Sequence, residues 1–257
     1  MKESILNYSV DTLTVTQCTG AIMNSLSEGA DYGDAGCRWL ACLNPHSYAV
    51  ALADQDFAAA LRDASWLIPD GVGVVWASRL LGGQVRERVT GSDVFFGLHQ
   101  RMNAKRGLSS FFLGASEETL AQIRARMADD CPNIRVAGTY SPPFKSVYSA
   151  LELDAMIEAI NVARPDVLWV GMTAPKQEKW IFENRARLDV RFAAAVGAVF
   201  DFYTGNVKRS HPVFQRLGLE WLPRLLRQPR RLWRRMVVSA PIFVWHTLKA
   251  RWRLRRK

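Results

Sequence analysis

Short apolar runs, each closed by a turn residue and followed by a longer stretch of helical period, recur through the first four-fifths of the chain. A strand buried on both faces reads as a continuous apolar run and its crossover as an amphipathic helix, so this alternation specifies an α/β fold around a mostly parallel sheet. Six runs qualify as buried strands: Trp39–Leu43, Trp66–Ile68, Ser110–Leu113, Ile134–Ala137, Val167–Val170 and Phe192–Val196. Helices are expected at about 46–63, 72–81, 91–104, 116–129, 150–163 and 175–187, several opened by Ser, Pro or an early acid. Ligands of open α/β sheets sit beyond the carboxyl ends of the strands. Chemistry is therefore expected in the loops after Leu43, Ile68, Leu113, Val170 and Val196.

Charge divides the chain in two. The net charge is +10, yet residues 208–257 hold 15 Lys/Arg against the single acid Glu220, which leaves residues 1–207 at −4. Two units are expected, an α/β unit at 1–207 and a basic helical appendage at 208–257. Residues 213–227 and 230–254 read as two helices parted near Gln228-Pro229, with Pro241 kinking or capping the second. In the second, Leu232, Trp233, Met236, Val237, Ile242, Phe243, Val244 and Trp245 form a broad apolar surface with arginines on either side. That is the make-up of an interfacial helix on an anionic membrane, where each cation near the surface contributes about 1 kcal/mol. Two other readings fit the same segment: a packed helix with a solvated basic face, and a nucleic-acid tail.

Other classes are disfavoured. No apolar run approaches the roughly 20 residues of a membrane span, and Met1–Met23 is broken by Lys2, Glu3 and Asp11, so neither a span nor a signal peptide is expected. Cys18, Cys37, Cys42 and Cys131 form no C-x-x-C pair, and His46, His99, His211 and His246 lack metal-ligand spacing, which favours a reduced, cytosolic compartment and no metal site. Gly71-Val-Gly73 lacks the third glycine of a dinucleotide fingerprint, and neither a P-loop nor a G-x-S-x-G elbow occurs. Asp54-Gln-Asp56 matches the D-x-D pattern of many sugar-nucleotide enzymes. Inside one helix over 46–63, residues two apart point away from each other, so the pair is expected to be a solvated face.

More informative is Ile68-Pro-Asp70-Gly-Val-Gly73, where a single acid stands at the end of a buried strand. Asp70 there faces the ligand crevice and could take a proton from an attacking hydroxyl; an N-cap for the helix at 72–81 is the structural alternative. Asn44-Pro45 closes another strand. Val170-Gly-Met-Thr-Ala-Pro175-Lys-Gln-Glu178 turns from strand to helix, and the amides of that helix start with Lys176 make a diphosphate cradle. Arg86-Glu-Arg88-Val-Thr90-Gly-Ser-Asp93 adds two cations and a capped helix start.

Taken together these motifs resemble the WecG/TagA/CpsF glycosyltransferases (glycosyltransferase family 26). The resemblance rests on Leu43-Asn-Pro45, Ala64 to Arg79, Glu87-Arg-Val-Thr-Gly-Ser-Asp93, Phe112-Leu-Gly-Ala115, Asp166 to Glu178, Phe200-Asp-Phe202, Gly205-Asn-Val-Lys-Arg209 and Gly218-Leu-Glu-Trp-Leu222, in order along nearly the whole chain. It implies a Rossmann-like catalytic domain at 1–207 and an appendage at 208–257 that associates with the membrane and closes over the active site. It further implies inverting, metal-independent transfer of a hexose from a UDP-sugar to a polyprenyl-diphosphate-linked sugar, in bacterial exopolysaccharide or cell-envelope synthesis. The sugar is glucose, N-acetylmannosamine or its uronic acid. Asp70 matches the family's catalytic base. Asn44, Arg88 and Gln177 match substrate-binding positions, with Lys176 and Glu178 beside them, and Arg224, Arg231 and Arg234 match tail arginines that meet the diphosphate. Cys42 stands where many members have Thr. The expected partners are the UDP-sugar, the lipid-linked acceptor and an anionic membrane surface, with no cofactor, no nucleic acid and a location on the inner face of the cytoplasmic membrane. A non-catalytic sugar-nucleotide or lipid-carrier binding protein is the alternative function.

Overall fold

The computed structural model describes residues 1–27, 37–207 and 235–256. An antiparallel hairpin, β1 (Lys2–Ile5) and β2 (Tyr8–Asp11), and a helix, α1 (Val15–Ser27), lead into the sheet. No element was expected before Trp39. The hairpin turn is made by Leu6 and Asn7, both in the left-handed region (φ 49° and 70°), so the Asn-Gly or Asp-Gly pair that usually marks such a turn is missing from the sequence.

All six expected strands are present: β3 (Arg38–Leu43), β4 (Trp66–Pro69), β5 (Ser109–Gly114), β6 (Arg135–Tyr140), β7 (Val167–Gly171) and β8 (Phe192–Ala195). They pair in parallel in the order β4-β3-β8-β7-β5-β6. Helices cover both faces. One layer holds α2 (Pro45–Ala51), α3 (Gln55–Asp63), α4 (Val72–Leu81), α7 (Ala150–Ala163) and α8 (Lys176–Asn184), packed on Trp39, Leu168 and Val170. The other holds α1, α5 (Gly91–Lys105), α6 (Glu117–Asp130) and α9 (Val199–Thr204), packed on Leu40, Phe112 and Trp169. The result is a Rossmann-like α/β architecture in which all strands of the six-stranded sheet point their carboxyl ends toward one edge.

The helix expected over 46–63 is two. Asp54 adopts an extended conformation (φ −121°) and caps α3, its Oδ1 accepting from Phe57 N at 2.9 Å. Because Asp54 is therefore outside the helix, it and Asp56 do not point apart: both carboxylates reach Lys179 Nζ, at 3.2 and 3.5 Å. At the other boundary α8 ends at Asn184 and Arg185–Arg187 continue as a 3₁₀ turn.

The expected helix at 213–227 and the start of the one at 230–254 lie outside the described residues, as do Arg224, Arg231 and Arg234. The C-terminal described segment holds a π-helical turn (Arg235–Ser239) and α10 (Ala240–Leu254), with Pro241 in the first turn of α10, where a proline is tolerated. Phe243 and Thr247 face inward, Phe243 meeting the Tyr48 ring edge-on at 5.4 Å. Two polar links hold the segment on α2, His46 Nδ1 to Ser239 Oγ (2.9 Å) and Tyr48 Oη to His246 Nδ1 (2.6 Å). Trp245, Leu248 and Trp252 face outward, with the Arg256 guanidinium 3.5 Å from the centre of the Trp252 ring. Among the described residues no helix is long and apolar enough to cross a membrane.

Candidate active site

The carboxyl ends of β3, β4, β5, β7 and β8 open into a cleft of about 1150 Å³. Of the residues singled out in the sequence, Asn44, Asp70, Lys176, Gln177 and Glu178 all line it.

Asp70 is placed by backbone chemistry. Pro69 ends β4 in register with Leu43 of β3, and the amide of Asp70 donates to the Leu43 carbonyl at 2.8 Å. Gly71 then takes φ 101°, where a side chain is strained, and it is Gly71, not Asp70, that stands at the N-cap of α4. Two residues on, Gly73 allows α4 to approach α2: a Cβ there would lie 2.7 Å from the Pro45 ring. The sequence Pro-Asp-Gly-Val-Gly thus turns the chain sharply while leaving the carboxylate of Asp70 in the cleft wall.

Asn44 is fixed from both ends. Its Oδ1 accepts from the amides of His46 (3.0 Å) and Ser47 (2.9 Å), capping α2, and Ser47 Oγ returns the bond by accepting from Asn44 N at 2.8 Å. With the carbonyl so committed, the amide group has one orientation, and Nδ2 donates to Asp70 Oδ2 at 3.3 Å. A capping box therefore doubles as the support for the acid.

Across the cleft, α8 brings up Lys176, Gln177 and Glu178. Gln177 is buried and bridges two elements, its Oε1 accepting from Gly197 N and its Nε2 donating to Glu178 Oε1, both at 3.0 Å. Glu178 is 3% exposed and its second oxygen, Oε2, has no hydrogen-bond partner among the described residues. Burial raises its pKa from the ordinary 4.5 to about 7, against the opposing bond from Gln177. Lys176 lies 3.9 Å from the centre of the Tyr148 ring and donates to the Lys145 carbonyl; burial, with Lys145 adding, lowers its pKa. Between the two acids sits Cys42, whose thiol is pushed well above its ordinary value by burial and then by Asp70 and Glu178, so it stays protonated and is not a nucleophile.

Arg88 is half-buried on the loop before α5 and is not part of the cleft lining, although its neighbour Val89 donates to the Pro69 carbonyl (3.0 Å) beside Asp70. Lys145 and Tyr148 line the cleft without having been singled out. β6 runs to Tyr140, past the expected end at Ala137, and so carries its following loop over the cleft. Asp201 on α9 was likewise visible only as part of Phe200-Asp-Phe202.

A family model described as the glycosyl transferase WecG/TagA/CpsF family matches residues 3–257. This chain belongs to that family. As a family member it is a glycosyltransferase. Among curated relatives, an N-acetylglucosaminyldiphosphoundecaprenol N-acetyl-β-D-mannosaminyltransferase of Bacillus spizizenii is 34% identical over 206 residues, 80% of this chain and 77% of that protein. A transferase of the same name from Staphylococcus aureus (strain MW2) is 27% identical over 262 residues, 99% of this chain and 95% of that protein.

Proposed function

We propose that this glycosyltransferase moves a hexose, N-acetylmannosamine in the first instance, from a UDP-sugar to a polyprenyl-diphosphate-linked N-acetylglucosamine in cell-envelope polymer synthesis. The sugar and the acceptor follow the names of the relatives. The observation that carries the mechanism is the placement of Asp70: a carboxylate at the end of β4, lining a cleft of about 1150 Å³ and accepting the amide of a doubly anchored Asn44. In a single displacement, Asp70 takes the proton of the acceptor hydroxyl as that oxygen attacks the anomeric carbon, and the C–O bond to UDP breaks on the opposite face, inverting the configuration. The leaving diphosphate meets the N-terminal amides of α8, Lys176 and the tail arginines Arg224, Arg231 and Arg234; no metal enters this scheme.

The membrane contact is assigned to α10. Its outward Trp245, Leu248 and Trp252 with Lys249, Arg253 and Arg256 form the aromatic and cationic face that settles at an anionic interface, on the side from which a lipid-linked acceptor arrives. On this reading the protein works peripherally, on the inner face of the cytoplasmic membrane.

The test is a chelator-containing incubation of the protein with UDP-hexoses and a short-chain polyprenyl-diphosphate N-acetylglucosamine, read as glycolipid and UDP. Product from UDP-N-acetylmannosamine that is lost in Asp70→Asn supports the reading. A wild type that binds the UDP-sugar but makes no product from any donor and acceptor pair identifies a binding protein instead.

A further inference from the structure

Glu178 lines the cleft and has no function in the scheme above. It is the third residue of α8 and part of the cleft lining, 3% exposed, with Oε1 held by Gln177 and Oε2 without a hydrogen-bond partner among the described residues. An acceptor-only carboxylate left so is costly, since a buried polar atom without a hydrogen bond loses its hydration with nothing in return. A protonated carboxyl changes the inventory: Oε2 becomes a donor, and a donor needs an oxygen to receive it.

The position says which oxygen. Asp70 follows β4 and Glu178 follows β7, and β3 and β8 lie between those strands. Three strand spacings amount to roughly 14 Å at the roots of the two loops, and Cys42 on β3 senses both carboxyls. If Asp70 attends the attacking hydroxyl, the opposite side of the reacting carbon belongs to the leaving group, and that side is the N-terminus of α8. Lys176, whose ammonium donates to the Lys145 carbonyl, stands at the same helix start, while the Lys145 ammonium pairs with Glu152 at 2.6 Å. An ionised Glu178 would repel a diphosphate there.

We propose that Glu178 binds the nucleotide as a neutral acid, donating its Oε2–H to an oxygen of the leaving diphosphate opposite Asp70. This rests on the UDP-sugar reading given above. When the bond to the sugar breaks, its electron pair stays on the phosphate oxygen and the carboxyl proton remains on Glu178, shared with the diphosphate through the hydrogen bond. Among the described residues, Gln177 bonds Glu178 directly, Lys176 stands two residues before it on α8, and Cys42 on β3 lies between it and Asp70; on the α3 side Asp54 and Asp56 are matched by Lys179, and Asp63 by Arg185. Its proton is half lost near pH 7 in the free protein. An anion that needs the proton must then draw it back from solvent.

The experiment is calorimetric titration of the full-length protein with UDP at pH 8.5, in two buffers of different ionisation enthalpy, with uridine as the phosphate-free control. Wild type is expected to take up between about one half and one proton per UDP, and its Kd to weaken by up to tenfold per pH unit above about pH 7.5. Uridine should take up none. Glu178→Gln, which keeps the shape and a donor, should bind UDP with no proton uptake and a flat pH profile. Uptake that persists in Glu178→Gln, uptake equal with uridine, or a wild-type Kd independent of pH from 7 to 9 overturns the proposal; the last needs no variant to fold. A wild type that does not bind UDP at all overturns the nucleotide reading itself, which is a different result from binding without a proton.

Discussion

Two acids flank the same strand. Asp166 precedes β7 at the amino edge of the sheet and Glu178 follows it at the carboxyl edge, and their surroundings are opposite. Both oxygens of Asp166 are occupied: Oδ2 accepts from Ser109 N (2.8 Å) and Ser109 Oγ (2.9 Å), and Oδ1 pairs with Arg191 at 3.2 Å. Its own amide donates to Ser109 Oγ and its carbonyl receives Phe192 N, so one residue ties the starts of β5, β7 and β8 together. Glu178 leaves an oxygen unanswered. A carboxylate whose every lone pair is engaged holds structure; one buried with capacity to spare is held by the structure for something else.

The comparison predicts that damage to the two edges separates cleanly into activity and stability. The largest effect belongs to the carboxyl edge. Asp70→Asn should lower transfer roughly 10²- to 10⁴-fold while thermal melting moves little, since the Asn44 cap of α2 does not depend on Asp70. A melting loss as deep as the loss in rate would show that Asp70 is structural and the contrast between edges is false.

At the amino edge the order reverses. Asp166→Ala strips two donors of Ser109 and the Arg191 guanidinium of their acceptor, and should cost about 3 kcal/mol in denaturant unfolding. UDP affinity of the folded protein should hold, because none of these groups lines the cleft. Loss of UDP binding in fully folded Asp166→Ala would mean that the edges are coupled through the strands.

Glu178 supplies a case in which removing a charge should strengthen the fold. Its pKa is raised from an ordinary 4.5 to about 7, so the stability it allows is fully present below about pH 4.5 and lost as pH rises through 7. Glu178→Gln mimics the neutral form and should be more stable than wild type by about 2–3 kcal/mol at pH 8, with the gain shrinking toward zero at pH 5. Melting curves at the two pH values check both size and sign. A variant that is equally destabilised at both would place Glu178 among the structural acids with Asp166.

How much of this was open to reading from the chain depends on the same contrast. The six strands were legible because parallel strands buried on both faces must be apolar throughout, and Asp70 because a lone acid directly after such a run has few places to go but the crevice. The hairpin was not legible, since Leu6 and Asn7 make its turn without a glycine. Nor was the break at Asp54, where a cap looks like one more polar residue on a helical face. Gln177 could be named as a binding position from the family resemblance, with Glu178 only as its neighbour, and neither could be given a geometry. Only the fold shows that one bridges two elements while the other keeps an oxygen unused.

The smallest expected effect tests whether saturated contacts stay silent in function even next to the cleft. Tyr48 lies on α2, four residues past Asn44, and its hydroxyl is 2.6 Å from His246 Nδ1 on α10. Tyr48→Phe keeps the ring contact with Phe243 and removes only that bond, so it should cost about 1 kcal/mol, or about 2–4 °C in melting for a chain of this size. By the logic of the two edges, UDP affinity should not change, because the cap that positions Asn44 toward Asp70 is made by the backbone amides of His46 and Ser47, which the loss of the Tyr48 hydroxyl leaves in place. Binding to anionic vesicles is the sharper readout. If α10 is held in place by Tyr48, loosening it should weaken vesicle binding while leaving UDP binding intact. If UDP affinity falls as well, α2 transmits the docking of α10 to Asn44, and the division between stabilising and functional contacts ends one helix turn from the acid.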